Sequence, residues 1–93
     1  MSRFTIQPTP LAGVVEISRK VIGDHRGYFT RFFCADELAA AGFDSPIAQI
    51  NHSYSAKRGT VRGLHFQYPP HAEIKLVSCV RGRVFDVAVD LRA

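Results

Sequence analysis

Arg62-Gly63-Leu64-His65-Phe66-Gln67-Tyr68-Pro69-Pro70-His71-Ala72-Glu73-Ile74-Lys75-Leu76-Val77 is the stretch whose reading decides the fold. Prolines cannot donate to a ladder, so Tyr68-Pro69-Pro70-His71 reads as a loop. The flanking runs, Thr60–Phe66 and Glu73–Val80, are rich in β-branched and aromatic residues and read as the strands of a hairpin. Side chains alternate along a strand, so Thr60, Arg62 and Leu64 share one face while Val61, Gly63, His65 and Gln67 share the other. Small and apolar neighbours mark the second face as an interior. A histidine and a glutamine aimed inward must be hydrogen-bonded or used for chemistry, and a ligand cavity is the natural place for them.

The same pattern continues on both sides. Val14–Ser18 reads as a strand that Arg19-Lys20-Val21-Ile22 extends, Asp24-His25-Arg26-Gly27 as a turn, and Tyr28–Phe33 as an aromatic strand. Ala35–Ala41 is the one helical piece, with Asp36 and Glu37 in its first turn and Gly42 as its stop. Ile47–Tyr54 and Arg83–Leu91 complete the strands, Ser55–Gly59 is a loop, and Arg81-Gly82 reads as a tight hairpin turn. Short strands at such regular spacing indicate an all-β sandwich or barrel. The apolar strand Arg83–Leu91 runs to the chain end, which reads as the first part of something larger with an edge left open.

Ninety-three residues suffice for one domain. No apolar run approaches the roughly 20 residues that span a bilayer, so a membrane partner is not expected. Met1-Ser2-Arg3-Phe4 opens into a Pro/Thr stretch without an apolar leader, so the chain reads as cytoplasmic and Cys34 and Cys79 as free, buried thiols. The formal charge of +4 calls for an anionic partner. Its basic residues are scattered pairs (Arg19-Lys20, Lys57-Arg58, Arg81 and Arg83) rather than a stripe. Nucleic acid is therefore disfavoured against a small phosphorylated ligand.

His65 and Lys75 are the candidates for chemistry. A neutral imidazole is suited to remove a proton near neutral pH. Lys75 is flanked by Ile74 and Leu76-Val77 in a strand that reads as buried, and a buried cation needs an anion. Glu73 stands on the same face; a ligand phosphate or a developing enolate would also serve. Arg62 and Arg26 read equally as surface ion pairs or phosphate clamps. Small barrels of the cupin type hold metals through His-x-His, then Glu, then Gly. Here the spacing gives His65-Phe66-Gln67, then Lys75, then Gly82. A protonated lysine offers no lone pair and repels a divalent ion, so no metal and no other cofactor is expected.

The segments Asp24–Phe29, Gln49–Ser53, Gly59–Gln67, Lys75–Val77, Gly82 and Asp86–Arg92 together resemble the dTDP-4-dehydrorhamnose 3,5-epimerases and related dTDP-4-keto-sugar epimerases. They occur in family order over nearly the whole chain and cover the N-terminal half of a family member. The resemblance implies a metal-free, cupin-like jelly-roll β-barrel, incomplete here and with one short helix, of which residues 1–93 form the N-terminal part. It implies a homodimer acting on a dTDP-4-keto-6-deoxyhexose, inverting carbons beside the ketone. On that pattern His65 matches the general base and Lys75 the residue near the C4 oxygen. Gln49, Asn51 and Arg62 match positions at the nucleotide and pyrophosphate, and Arg26 and Phe29 match residues given to a neighbouring subunit's pocket. Asp86 matches an inward supporting carboxylate. Arg31 stands where the family often has glutamate, and the family's histidine-orienting aspartate and proton-returning tyrosine fall beyond residue 93. The expectation is therefore an epimerase-type chain impaired on its own. The alternative is a non-catalytic remnant that binds nucleotide or pairs with a subunit.

Overall fold

The computed structural model describes residues 3–92. Met1, Ser2 and Ala93, on which the expectations about a leader and the domain limits partly fall, lie outside them. The chain divides into two compact units, Met1–Asp44 with Val77–Ala93, and Ser45–Leu76.

The first unit begins with an antiparallel pair, β1 (Phe4–Pro8) and β2 (Val15–Arg19), in the register Phe4↔Arg19, Ile6↔Ile17, Pro8↔Val15. Alternation decides its faces: Phe4 is buried and Ile6, Val15, Ile17 and Arg19 are half-buried, while Thr5, Gln7, Glu16 and Ser18 are exposed. The turn is closed by Thr9, whose hydroxyl donates to the Val14 carbonyl (2.7 Å) and accepts from the Leu11 N–H (3.2 Å). Lys20 N–H donates to Arg3 O at 3.0 Å, beyond the last register pair. The chain then leaves this sheet for a second hairpin, β3 (Val21–Asp24) and β4 (Gly27–Thr30), with Asp24 opposite Gly27.

A short helix, α1 (Ala35–Ala39), follows, with Leu38 fully buried. Glu37 in its first turn accepts from Arg3 N–H (3.4 Å) and pairs with Arg31 (3.6 Å). The helix closes on Gly42: Gly42 N–H donates to Ala39 O and Phe43 N–H to Leu38 O, with Gly42 at φ +95°. This is the reciprocal pair of bonds of a left-handed glycine stop. Phe43 then packs edge-on against Phe33, ring centroids 5.6 Å apart. Gly42→Ala forces a Cβ into the left-handed region at a cost of about 1–2 kcal/mol. The expected reading is roughly tenfold faster hydrogen exchange at the Phe43 amide, with exchange in β1 and β2 unchanged.

Arg19 ties the unit together. Its guanidinium donates to Phe32 O through Nε (3.1 Å) and Nη2 (3.0 Å), and through Nη2 to Ser78 Oγ (2.9 Å). It also lies over the Phe32 ring, 4.6 Å from the centroid. At the other end of the same segment, Arg92 donates to Ala12 O at 2.7 Å.

Several expectations are corrected. β1 stands where the sequence suggests a Pro/Thr lead; its Phe4-Thr5-Ile6-Gln7 alternation is a strand signal, and Pro8 is tolerated because it sits at the strand's end. The long strand expected over residues 14–22 is two strands, broken at Lys20 where the chain changes sheets. The aromatic strand stops at Thr30, since the Phe32 carbonyl is taken by Arg19 instead of a ladder. Ile47–Tyr54, Thr60–Phe66, Glu73–Val80 and Arg83–Leu91 enter no ladder among the described residues, so the 60–77 hairpin and the Arg81-Gly82 hairpin turn are not formed. A strand is a property of a pair: apolar alternation sets the preference, but backbone bonding needs a partner strand and a layer to cover its apolar face. Among the described residues the fold is thus two small antiparallel sheets and one short helix, without a closed barrel. Cys34 and Cys79 are free, but Cys34 is half-buried and Cys79 exposed, its thiol donating to Arg81 O at 3.3 Å. No helix among the described residues is long and apolar enough to cross a membrane.

Candidate functional site

Five of the seven residues singled out lie in the unit Ser45–Leu76. His65, Lys75, Arg62, Gln49 and Asn51 are all exposed there, so the interior face expected for His65 and Gln67, and the buried strand expected for Lys75, are not present. The reason is again pairing: without a ladder the alternation of side chains has no enclosed side to point to. Gly63 stands at φ +119°, open to glycine and strained for other residues, and a Cβ there would lie 3.7 Å from the His65 Nδ1. The positive φ, rather than lack of space, is what calls for glycine here, since a contact at 3.7 Å is an ordinary one.

The cations in this unit are held by local partners. Lys75 Nζ pairs with Glu73 Oε1 at 3.2 Å, the partner that the strand spacing offered. Arg62 donates through Nε to Ser55 Oγ (3.0 Å) and through Nη2 to Tyr54 O (3.1 Å). No sequence signal marked Tyr54 and Ser55 as its partners, because a loop carbonyl and a hydroxyl carry no pattern of their own. Among the described residues, no hydrogen bond or ion pair joins any two of His65, Lys75, Arg62, Gln49 and Asn51. Nor do the described residues gather three or more His, Cys, Asp or Glu side chains that could hold a metal ion.

The other two residues belong to the first unit. Arg26 occupies the β3–β4 turn, where its backbone N–H donates to Asp24 Oδ1 (2.9 Å) and its Nη2 to Asp24 Oδ2 (2.7 Å). The guanidinium forms a surface ion pair with Asp24, the Arg26 side chain being 80 % exposed. The hydrogen bonds from Arg26 hold the Asp24 carboxyl below its ordinary value and raise the guanidinium's. Asp90-Leu91-Arg92 repeats the device: Arg92 N–H donates to Asp90 Oδ1 (3.0 Å) and Nη2 to Oδ2 (2.9 Å). There the Arg92 side chain, its N–H and its charge bring Asp90 down to about 2. The shared Asp-x-Arg spacing was legible in the sequence, and it was missed as a local clasp. Phe29 faces outward on β4, 57 % exposed, opposite Ile22, with the Arg3 guanidinium 6.0 Å from its ring centroid.

Neither of two open clefts in the first unit is lined by any of the seven residues: one lies at Arg3, Lys20, Val21 and Ile22, the other between Leu11–Val14 and Ala88–Arg92.

The profile of one family, dTDP-4-dehydrorhamnose 3,5-epimerase, matches residues 8–93. Over 92 residues the chain is 48% identical to a dTDP-4-dehydrorhamnose 3,5-epimerase of Sinorhizobium fredii, covering 99% of this chain and 47% of the relative. It is 47% identical to one of Shigella flexneri (90% of this chain, 46% of the relative). It is 46% identical to a dTDP-4-dehydrorhamnose 3-epimerase of Streptomyces niveus (94% and 42%). The chain thus spans about half the length of the curated relatives it matches. No solved structure matches it.

Proposed function

Because the chain belongs to the dTDP-4-dehydrorhamnose 3,5-epimerase family, we propose that it carries the base and the enolate-stabilising cation of such a site. The substrate is a dTDP-4-keto-6-deoxyhexose of rhamnose-type deoxysugar synthesis, bound in a cytoplasmic homodimer whose fold is a cupin-like jelly roll. The observation that carries this reading is the family match over residues 8–93, a span that includes Gly63, His65 and Lys75.

A carbon next to a ketone loses a proton only if something takes it and something else steadies the charge left on oxygen. His65 takes the proton from C5 or C3, and the electron pair moves to the C4 oxygen as an enolate. The Lys75 ammonium faces that oxygen, where a fixed positive charge stabilises the transition state more than the neutral ketone. A proton delivered to the opposite face of the carbon then completes inversion. Arg62, Gln49 and Asn51 hold the nucleotide and pyrophosphate, and Arg26 and Phe29 reach a neighbouring subunit's pocket. For Lys75 this requires exchanging Glu73 for the ligand, a small cost for an ion pair so exposed.

A second reading, a remnant that binds nucleotide or pairs with a subunit without turnover, is favoured by one fact: the site residues of Ser45–Leu76 are exposed and no hydrogen bond or ion pair joins them to one another. Both readings are separated by solvent-deuterium uptake at C3 and C5 of the keto sugar. The 93-residue chain alone is expected to exchange at least about 10³-fold more slowly than a fusion of this chain to the unmatched half of the S. fredii relative, as loss of orientation and environment around a base implies. A folded, dTDP-binding fusion that exchanges neither position would overturn the catalytic reading in favour of the remnant.

A further inference from the structure

We propose that Asp24 is a positioning residue for Arg26: its carboxylate holds one edge of the guanidinium, so that the opposite edge is presented to a diphosphate. The proposal rests on the reading above that brings Arg26 to a ligand pocket, and it adds a residue that the reading leaves without a role.

The device is built into a tight turn. Asp24 and Gly27 are the last opposed pair of the β3–β4 hairpin, which leaves His25 and Arg26 as the two turn residues. One carboxylate serves both backbone and side chain there. Its Oδ1 accepts from the Arg26 N–H (2.9 Å) and Nε (3.3 Å), and its Oδ2 from Nε (3.2 Å) and Nη2 (2.7 Å). The bond to the N–H fixes where the side chain starts, and the bonds to the head group fix where it ends. Few of the rotamers in between satisfy both. The same bonds hold the Asp24 carboxyl below its ordinary value, so the clasp is closed at neutral pH.

Stability does not account for the clasp. Side chains 80 % and 47 % exposed form an ion pair that adds little to folding. The free donors do account for it. A guanidinium carries its N–H groups in a planar fork. Asp24 occupies the Nε–Nη2 edge, while Nη1 and the outer hydrogen of Nη2 meet no partner among the described residues. That outer edge suits two oxygens of a phosphate or a carboxylate. The proposed substrate carries a diphosphate and no carboxylate, which selects the phosphate. Holding a long side chain in its binding rotamer beforehand removes an ordering cost from the binding step.

The chain contains its own contrast. Asp90 clasps Arg92 by the same bonds, N–H to Oδ1 at 3.0 Å and Nη2 to Oδ2 at 2.9 Å, but there Nη2 also donates to Ala12 O at 2.7 Å. The outer edge of Arg92 is spent on the fold, and that of Arg26 is not.

Asp24→Asn is the test variant, because the amide oxygen still accepts the Arg26 N–H and keeps the turn while the charged hold on the head group is lost. In the 93-residue chain, nitrogen relaxation of the Arg26 Nε–Hε group is expected to report a restrained side chain that becomes mobile in Asp24→Asn. In the fusion with the unmatched half of the S. fredii relative, Asp24→Asn is expected to weaken dTDP binding about three- to tenfold. Binding of thymidine, which lacks phosphate, should not change. In an Arg26→Gln background the same substitution should cost nothing further, since a residue that acts through Arg26 then has nothing to position. Unchanged dTDP binding in Asp24→Asn, an equal loss for thymidine, a further loss in the Arg26→Gln background, or an Arg26 signal already mobile in the wild type would each overturn the proposal and leave Arg26 at the ligand. A fusion whose dTDP binding does not depend on Arg26 would refute that placement of Arg26, and this proposal with it.

Discussion

His65→Ala in the fusion with the relative's unmatched half is expected to slow deuterium uptake at C3 and C5 by about 10²–10⁴-fold, the range for removing a general base. dTDP binding should remain, because on the proposed reading the imidazole acts on the sugar ring and not on the nucleotide. The side chain is exposed and accepts no bond that the chain's own packing needs, so the variant tests chemistry without testing folding. Both positions should fall together if one base serves both carbons. Loss at C5 alone, with C3 exchange intact, would show that a different group removes the second proton. An unchanged rate at both carbons would remove His65 from the reaction. The similarity to a 3-epimerase as well as to 3,5-epimerases gives this comparison its point, since the matched half is shared by both kinds of relative.

Lys75→Met should cost about 10²–10³-fold in the same exchange rate, the usual effect of deleting one preorganised partner of a developing oxyanion. Its partner supplies the control. Glu73 holds the ammonium at 3.2 Å, and the two side chains are 49 % and 44 % exposed. An ion pair so open to water is worth at most about 1 kcal/mol, so Glu73→Gln should change exchange by less than about fivefold. If Lys75→Met weakens dTDP binding yet leaves the exchange rate of the bound complex intact, the ammonium is a phosphate contact. If Glu73→Gln matches Lys75→Met in effect, the pair is structural and the enolate assignment fails.

The local devices were legible because their causes are local. Gly42 stops the helix since only glycine enters the left-handed region cheaply there, and residues on either side of it provide both closing bonds. The Asp24–Gly27 turn forms where four consecutive residues allow it, and Glu73 pairs with Lys75 across one intervening residue. The two Asp-x-Arg clasps were equally local and were overlooked, although their spacing was there to be read. Distant partners were not legible. Arg19 reaching Phe32 and Ser78, or Arg92 reaching Ala12, joins residues that no spacing rule connects.

Family membership, the identity of the candidate base and cation, and the apolar alternation of the later segments are properties of residue order alone. Whether those segments are strands depends on partners. A ladder bond needs two backbones, a buried face needs a covering layer, and an inward-facing histidine needs an inside. Tertiary structure decided each of these. It paired Phe4–Pro8 with Val15–Arg19 and Val21–Asp24 with Gly27–Thr30, and left residues 47–92 outside any ladder, with His65 and Lys75 at the surface. Pairing is a contest among all available backbones, and composition states only the preference with which each enters it.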